Sequence, residues 1–516
     1  MPIKHAIRHQ ASLTALLSAA LLGGCTMGPN FQAPTWASPT SWFAGPKEPV
    51  RPPESKPVAQ AIDPQWWHLF GDPQLTKLEE QVASENLDVK AASYRLAESR
   101  DQLGIARAAL FPTLSGNVSY DRQQSSNNGF FSIVPEGEAT GTAANGAINN
   151  STGGINTPGF APFDVWQGGF DASWEIDLWG KNRRTVESAA ATAEAAGESQ
   201  RAVLLSSLAE VARDYIQLRG TQEQLRIANE NVKTAQQSLG LTRERAAGGV
   251  TTDLDVANAS AQLRTTLSEI PSLQQQEAQE INALSLLLGK APNALRQELA
   301  VAEPVPPVPP VVPVGFPSEL ARRRPDIREA EAKLHAATAD IGVAQAAFYP
   351  DLTLTGSFGL QSLQLQHAFD LASKEYSVGP NLMIPLFEGG QLHSTLELRK
   401  AEQKEAAINY QKTVLQAWHD VDNALTAYQA EQARRDQLIE AVTENRKALT
   451  LAQSRYEEGV ADFLTVLDAQ RSLLAAELQL AESTTMVSSN LVALYKALGG
   501  GWETDMPVTT VALKKS

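Results

Sequence analysis

The sequence predicts an α+β chain built from two internal repeats, each joining short amphipathic strands to very long helices. Three observations carry that reading. The run AALFPTLSGNVSY (Ala108–Tyr120) recurs as AAFYPDLTLTGSF (Ala346–Phe358), 238 residues further on. In both, a proline stops a helix-like stretch and strict alternation begins at once. Alanine, leucine and glutamine or glutamate crowd the stretches between, while aromatics are only 6% of the 516 residues. That composition favours extended helices over a compact mixed core.

The repetition is colinear over most of the chain. At an offset of 238, Asp88 matches Asp326, Leu96 matches Leu334, Gly104 matches Gly342, Pro112 matches Pro350 and Ser119 matches Ser357. At an offset of 210, Arg245 matches Arg455, Gly249 matches Gly459, Val250 matches Val460, Leu254 matches Leu464, Val256 matches Val466, Leu263 matches Leu473 and Gly289 matches Gly499. A repeat of this kind fixes the frame for every later assignment. The first repeat spans 72–302, with helices expected at about 74–109, 182–247 and 253–289 and strands at about 113–121 and 168–178. Gly220 is a candidate break and Pro271 an expected kink. Residues 122–165, rich in Gly, Asn, Ser and Thr, read as a loop. The second repeat spans 318–500, with helices at about 326–347, 390–457 and 462–498 and strands at about 351–360 and 377–387. Residues 303–317, EPVPPVPPVVPVGFP, form a proline-rich connector, and 501–516 a tail.

The strand faces decide the setting. Leu114, Val118 and Tyr120 share one side of the first strand, and Thr113, Ser115, Asn117 and Ser119 the other. In the second, Phe170, Ala172, Trp174, Ile176 and Leu178 oppose Asp171, Ser173, Glu175 and Asp177. The later pair follows suit with Leu352, Leu354 and Phe358, then Val378, Leu382, Ile384 and Leu386. Apolar-out, polar-in strands of about ten residues are the pattern of a transmembrane barrel. Trp166, Trp174, Trp179 and Phe387 suit its aromatic girdles. An ordinary sheet with one wet face alternates in the same way. Four strands cannot close a barrel, so several copies must each contribute four. Two copies give eight strands with a filled lumen, and three give twelve with a passage. A continuous helix over 182–247 would be roughly 100 Å long at about 1.5 Å per residue. Rooted in a barrel, such helices would extend it as a tube across an aqueous compartment.

The N-terminus supports a membrane address. Lys4 and Arg8 precede an apolar stretch, Ala11–Leu22, and then Leu22-Gly23-Gly24-Cys25. Residues 1–24 read as a signal peptide. Cys25, the sole cysteine, sits where the bacterial lipoprotein signal places its lipidated residue, and a lipid chain anchors without crossing. Residues 25–71 form a proline-rich leader. Removing 1–24 takes away Lys4 and Arg8 and no acid, so the net charge moves from −15 to −17. So acidic a chain excludes nucleic acid as a partner. A single cysteine excludes an internal disulfide.

These residues resemble a known group. Cys25 followed by GPNF (Gly28–Phe31), WWHLFGDPQL (Trp66–Leu75), RRPDI (Arg323–Ile327), ALFPTL, AFYPDLTL and YEEGVADFLTVLDAQRSLL (Tyr456–Leu474) are similar to the TolC-like outer-membrane factor family, in its lipidated efflux branch. The resemblance implies a trimeric, twelve-stranded transmembrane β-barrel with four strands per chain, continued by a long periplasmic α-helical barrel. It implies an outer-membrane exit channel joined by a periplasmic membrane-fusion adaptor to an inner-membrane pump of the resistance-nodulation-division type. It also implies a gate at the inner end. Leu464 falls on the apolar plug, Asp468 on a pore-lining carboxylate ring, Arg471 on its restraining partner and Tyr456 on a tyrosine that ties neighbouring helices. Thr465 stands where some members carry an acid, which leaves one acid ring here. The helix–helix turns, with Gly248, Gly249, Val250, Gly459 and Val460, are the expected adaptor-contact tips.

The residues alone keep plainer readings open. Asp462 suits a helix N-cap, and Asp253 and Asp255 favour a helix N-terminus. Arg471 also reads as a coiled-coil flank. The histidines after the signal (His68, His335, His367, His393 and His419) show no metal-ligand spacing. No nucleophile elbow or phosphate-binding loop is present. No cofactor is expected beyond covalent lipid on Cys25, and the chain does not read as an enzyme. A lipid-anchored coiled-coil adhesin or scaffold is the alternative, but it has no use for amphipathic strand pairs repeated twice.

Overall fold

The computed structural model describes residues 26–35, 42, 54–124 and 162–503. The predicted signal peptide, Cys25 and most of the C-terminal tail lie outside the described residues. Two compact units emerge. Among the described residues, one gathers 26–29, 104–124, 162–186 and 339–399; the other gathers 30–35, 42, 54–103, 187–338 and 400–503.

The first unit is a four-stranded antiparallel sheet. Its strands are β1 (Thr113–Gln123), β2 (Phe163–Ile176), β3 (Asp351–Ser362) and β4 (Lys374–Met383), in that order across the sheet. The register aligns the faces across all four strands. Leu114, Ala172, Gly356 and Val378 form one row, and Phe170, Phe358 and Tyr376 another on the same side. Ser115, Asp171, Ser357 and Ser377 form a row on the opposite side. The apolar side is open: Val118 is 91% exposed and Val378 74%. Among the described residues β1 and β4 are unpaired on their outer edges.

The strand bounds differ from the expected ones. β2 begins at Phe163, because Phe163–Gln167 continue the ladder against Gln123–Ser119. The expected loop over 122–165 is shortened accordingly, and residues 125–161 lie outside the described residues. β4 begins at Lys374 and ends at Met383, so Ile384, Leu386 and Phe387 leave the ladder and stand exposed. Pro380 lies inside β4, the outermost strand on its side among the described residues. Leu178 likewise lies beyond β2.

The second unit is dominated by helices. The expected single helix over 74–109 is two, α1 (Pro73–Glu85) and α2 (Leu87–Ala108). Asn86 makes the break. Its backbone is extended, and its side-chain oxygen accepts from the amides of Asp88 and Val89 at 2.8 and 3.0 Å, so it caps the second helix. Then follow α3 (Lys181–Ala247), α4 (Asp253–Leu287), α5 (Pro325–Ala346), α6 (Gln391–Glu457) and α7 (Phe463–Leu498). Gly220 does not break α3. A Cβ there would lie 2.3 Å from the Thr485 hydroxyl oxygen, so the glycine admits a close helix–helix approach. Pro271 sits inside an unbroken α4.

The leader and the connector find each other. Lys56–Val58 pairs in parallel with Val311–Pro313. Beside them Trp66, Trp67 and Phe70 are buried in a short 3₁₀ turn. Trp66 stacks on Tyr495 at 5.4 Å and donates to the Gly500 carbonyl at 3.1 Å. Aromatic burial here fixes the leader onto the helices. No described helix is long and apolar enough to cross a membrane.

Candidate functional site

Two chemical environments emerge: one face of the sheet, and the end of the helical unit where the hairpin turns lie. On the sheet, the polar side carries Asp121, Asp171, Glu175, Asp351 and Glu375 and, among the described strand residues, no lysine or arginine. Lys181, just past β2, reaches Glu175 at 3.3 Å and Asp351 at 3.6 Å. The surface is acidic and wettable. At the loop end of the apolar side, Tyr120 and Trp166 pack ring to ring at 4.3 Å. Such rings suit an interface between hydrocarbon and water.

The hairpin turns close on glycines. Gly249 has φ 72° and Gly459 φ 77°, values that L side chains adopt at a cost. Each turn presents an exposed valine, Val250 at 66% and Val460 at 61%. With Gly248, these are the residues expected at the tips. Under the turns lies an apolar core of Leu239, Val442, Leu449, Tyr456, Phe463, Val466 and Leu467.

Caps explain several acids. Asp462 is the N-cap of α7 and accepts from the Thr465 amide at 3.1 Å and the Thr465 hydroxyl at 2.7 Å. The hydroxyl bond first, then the amide bond, holds its carboxyl below the usual range. Thr252 caps α4, and Asp255 returns the bond to the Thr252 amide. The Thr251 hydroxyl is the main reason that the Asp255 carboxyl is lowered.

The four predicted gate residues divide. Leu464 is half exposed, and Asp468 and Arg471 are exposed one and two turns on, so the three share a face of α7. Asp468 has no hydrogen-bond or ion-pair partner among the described residues. Arg471 donates from Nε to Gln262 Oε1 at 2.8 Å, which ties α7 to α4 of the same chain. Tyr456 is buried, edge-on to Phe463 at 5.7 Å. Sequence reasoning missed Gln262, Phe463 and Arg245. Arg245 stands over the Tyr456 ring; the matched pair Arg245–Arg455 flagged the residue, but nothing in the sequence showed what it touches. No cluster among the described residues is fit to hold a metal ion.

Cys25 lies outside the described residues, but the residues after it are held. The Met27 amide donates to the Trp179 carbonyl at 3.0 Å, and Arg184 Nε donates to the Met27 carbonyl at 3.0 Å. Trp179 stacks on Tyr349 and donates to the Pro350 carbonyl at 2.9 Å. Residue 27 is therefore fixed at the end of the sheet where β3 begins.

Known proteins share these features. A family model described as outer membrane efflux protein matches residues 78–290 and 316–500. The antibiotic efflux pump outer membrane protein ArpC of Pseudomonas putida is 32% identical over 491 residues, 95% of each chain. The pyoverdine export outer membrane protein OpmQ of Pseudomonas aeruginosa is 32% identical over 497 residues, covering 96% of this chain and 98% of its own. The solved outer-membrane channel OprN superposes with a TM-score of 0.81 at 31% identity, covering 93% of this chain and all of that one.

Proposed function

The chain belongs to the outer membrane efflux protein family, and we propose that it is the exit channel of a tripartite efflux system. Three copies close a twelve-stranded barrel in the outer membrane, and their helices continue it through the periplasm. A periplasmic adaptor and an inner-membrane pump of the proton-driven resistance-nodulation-division type deliver small molecules such as drugs to it. The single observation that carries this reading is the sheet: one continuous apolar face, one continuous acidic face and two edges unpaired among the described residues. Open edges in hydrocarbon leave backbone groups unsatisfied, so they require further strands from identical copies. Conduction is passive; no chemistry is asked of any side chain.

Residues 1–24 direct export, and Cys25 carries the lipid. The hydrogen-bonded seat of Met27 supports that reading, because it anchors the described chain two residues after that cysteine. Leu464, Asp468 and Arg471, on one exposed face of α7, form the periplasmic constriction, with Tyr456 behind them. Threefold symmetry makes Asp468 a ring of carboxylates that disfavours anions. The tips around Gly248–Val250 and Gly459–Val460 receive the adaptor.

Planar-bilayer recording tests the channel directly. The purified protein conducts, and Asp468→Ala with Arg471→Ala raises single-channel conductance and admits large antibiotics in cells. Unchanged conductance and permeability in that variant remove both residues from the gate. Radiolabelled palmitate enters the wild type and not Cys25→Ser. Deleting the chain and measuring accumulation across a drug panel identifies the cargo.

A further inference from the structure

We infer that Arg245 is the bolt that holds the gate helix closed, and that it acts on the aromatic face of Tyr456 and not through the tyrosine hydroxyl. The inference rests on the gate reading above and adds a positioning residue to it. Arg245 lies in the last turn of α3, on the first hairpin. Its guanidinium sits 4.6 Å from the centroid of the Tyr456 ring, on the second hairpin. Its Nη1 donates to the Glu457 carbonyl at 3.0 Å. Glu457 is the last residue of α6, where carbonyls lack helical partners and the helix dipole is negative. One cation thus meets a π face and a helix C-terminus together, two attractions that add.

Tyr456 passes the restraint on. It is 4% exposed, and its ring lies edge-on to Phe463. Phe463 is the first residue of α7 and is 2% exposed. Leu464, the apolar plug, is its neighbour. Contacts therefore run from Arg245 through Tyr456 to Phe463, whose backbone leads directly into the plug residue. The Tyr456 hydroxyl is buried and makes no hydrogen bond among the described residues. Its contribution to the tie is the ring.

The internal repeat shows what the bolt needs. Arg455 is the counterpart of Arg245, but at the offset of 210 Ala246 stands in place of Tyr456, and Asp253 in place of Phe463. The Arg455 side chain is exposed and has no hydrogen-bond or ion-pair partner among the described residues. Of the two hairpin ends, therefore, only the second offers an arginine an aromatic seat among the described residues.

The experiment compares purified trimers in planar bilayers, with trimer integrity checked by gel migration. Arg245→Ala and Tyr456→Ala are expected to raise open-channel occupancy about ten-fold, which corresponds to losing ~1.4 kcal/mol from the closed state. Arg245→Gln keeps a donor for the Glu457 carbonyl and removes the cation, and is expected to open as well. It also carries the test if the alanine variant does not assemble. Tyr456→Ala should open far more than Tyr456→Phe, and Arg455→Ala should match the wild type. Equal opening by Tyr456→Phe and Tyr456→Ala would overturn the ring-based tie. Wild-type occupancy in Arg245→Ala and Arg245→Gln, with Asp468→Ala and Arg471→Ala still opening, would overturn the bolt and spare the gate. Wild-type conductance in every variant would overturn both.

Discussion

At Ala246–Thr252 the first hairpin turns on Gly249, and at Tyr456–Asp462 the second turns on Gly459, with φ values of 72° and 77°. The caps that follow are mirror choices. The first helix starts Thr252 with Asp255 at its third position; the second starts Asp462 with Thr465 there. In the first, the two side chains serve each other's amides; in the second, the Asp462 carboxylate accepts from both the amide and the hydroxyl of Thr465. Beyond the caps the likeness stops. Asn258 and Ala261 occupy the places of Asp468 and Arg471, and Ala246 and Asp253 the places of Tyr456 and Phe463. What both hairpins keep is what a tight helix–helix turn needs. What only the second keeps is charge on an exposed face and an aromatic pair beneath it. Duplication supplied the scaffold, and the second copy carries the specialised contacts.

Converting the second hairpin to the first gives the largest effect. Tyr456→Ala with Phe463→Asp removes two buried rings and costs roughly 3–5 kcal/mol or more. Heat-induced trimer dissociation should fall steeply, with leak of large antibiotics in cells. Retained stability would mean that the aromatic pair is ornamental. Cap removal comes next. Thr252→Ala should cost ~1 kcal/mol, and both it and Asp462→Ala should speed amide exchange in the first turn of the affected helix.

A smaller asymmetry concerns pH. Burial pushes the Glu280 carboxyl up to about 7, despite hydrogen bonds from Thr221 and Gln276 that act the other way. Its counterpart is Asn490. The folded state favours the neutral acid, so this contribution to stability is full below the ordinary carboxyl value of 4.5 and is lost as pH rises through about 7. Glu280→Asn, the residue of the other half, should flatten the fall in thermal midpoint between about pH 5 and about pH 8. The smallest effect belongs to the exchanged cap. Asp462→Thr with Thr465→Asp should leave the thermal midpoint nearly unchanged. A larger loss would show that Asp462 does more than cap.

The amount legible in the sequence follows from the range of each interaction. Strand faces are a period-two signal within one segment, so Phe170–Ile176 reads directly and the register only aligns it. The end of β4 at Met383 was hidden because Ile384, Leu386 and Phe387 extend the apolar run past it. Asn86 was masked by helical pattern on both sides, although asparagine followed by Asp88 is a cap signature. The pairing of Lys56–Val58 with Val311–Pro313 joins segments about 250 residues apart, and no local pattern encodes it. The candidate gate was reached through resemblance and helical spacing. The stack of Arg245 on Tyr456 needed coordinates, because arginine near a turn is commonplace and its aromatic partner lies on another hairpin.

Spin labels placed singly at 170 through 175 in β2, in protein reconstituted into lipid, test the wall of the channel most directly. Collision with dissolved oxygen reports hydrocarbon, and collision with a water-soluble nickel chelate reports water. Positions 170, 172 and 174 should favour oxygen, and 171, 173 and 175 the chelate. Chelate access at all six positions would mean that this sheet is wet on both sides and encloses nothing.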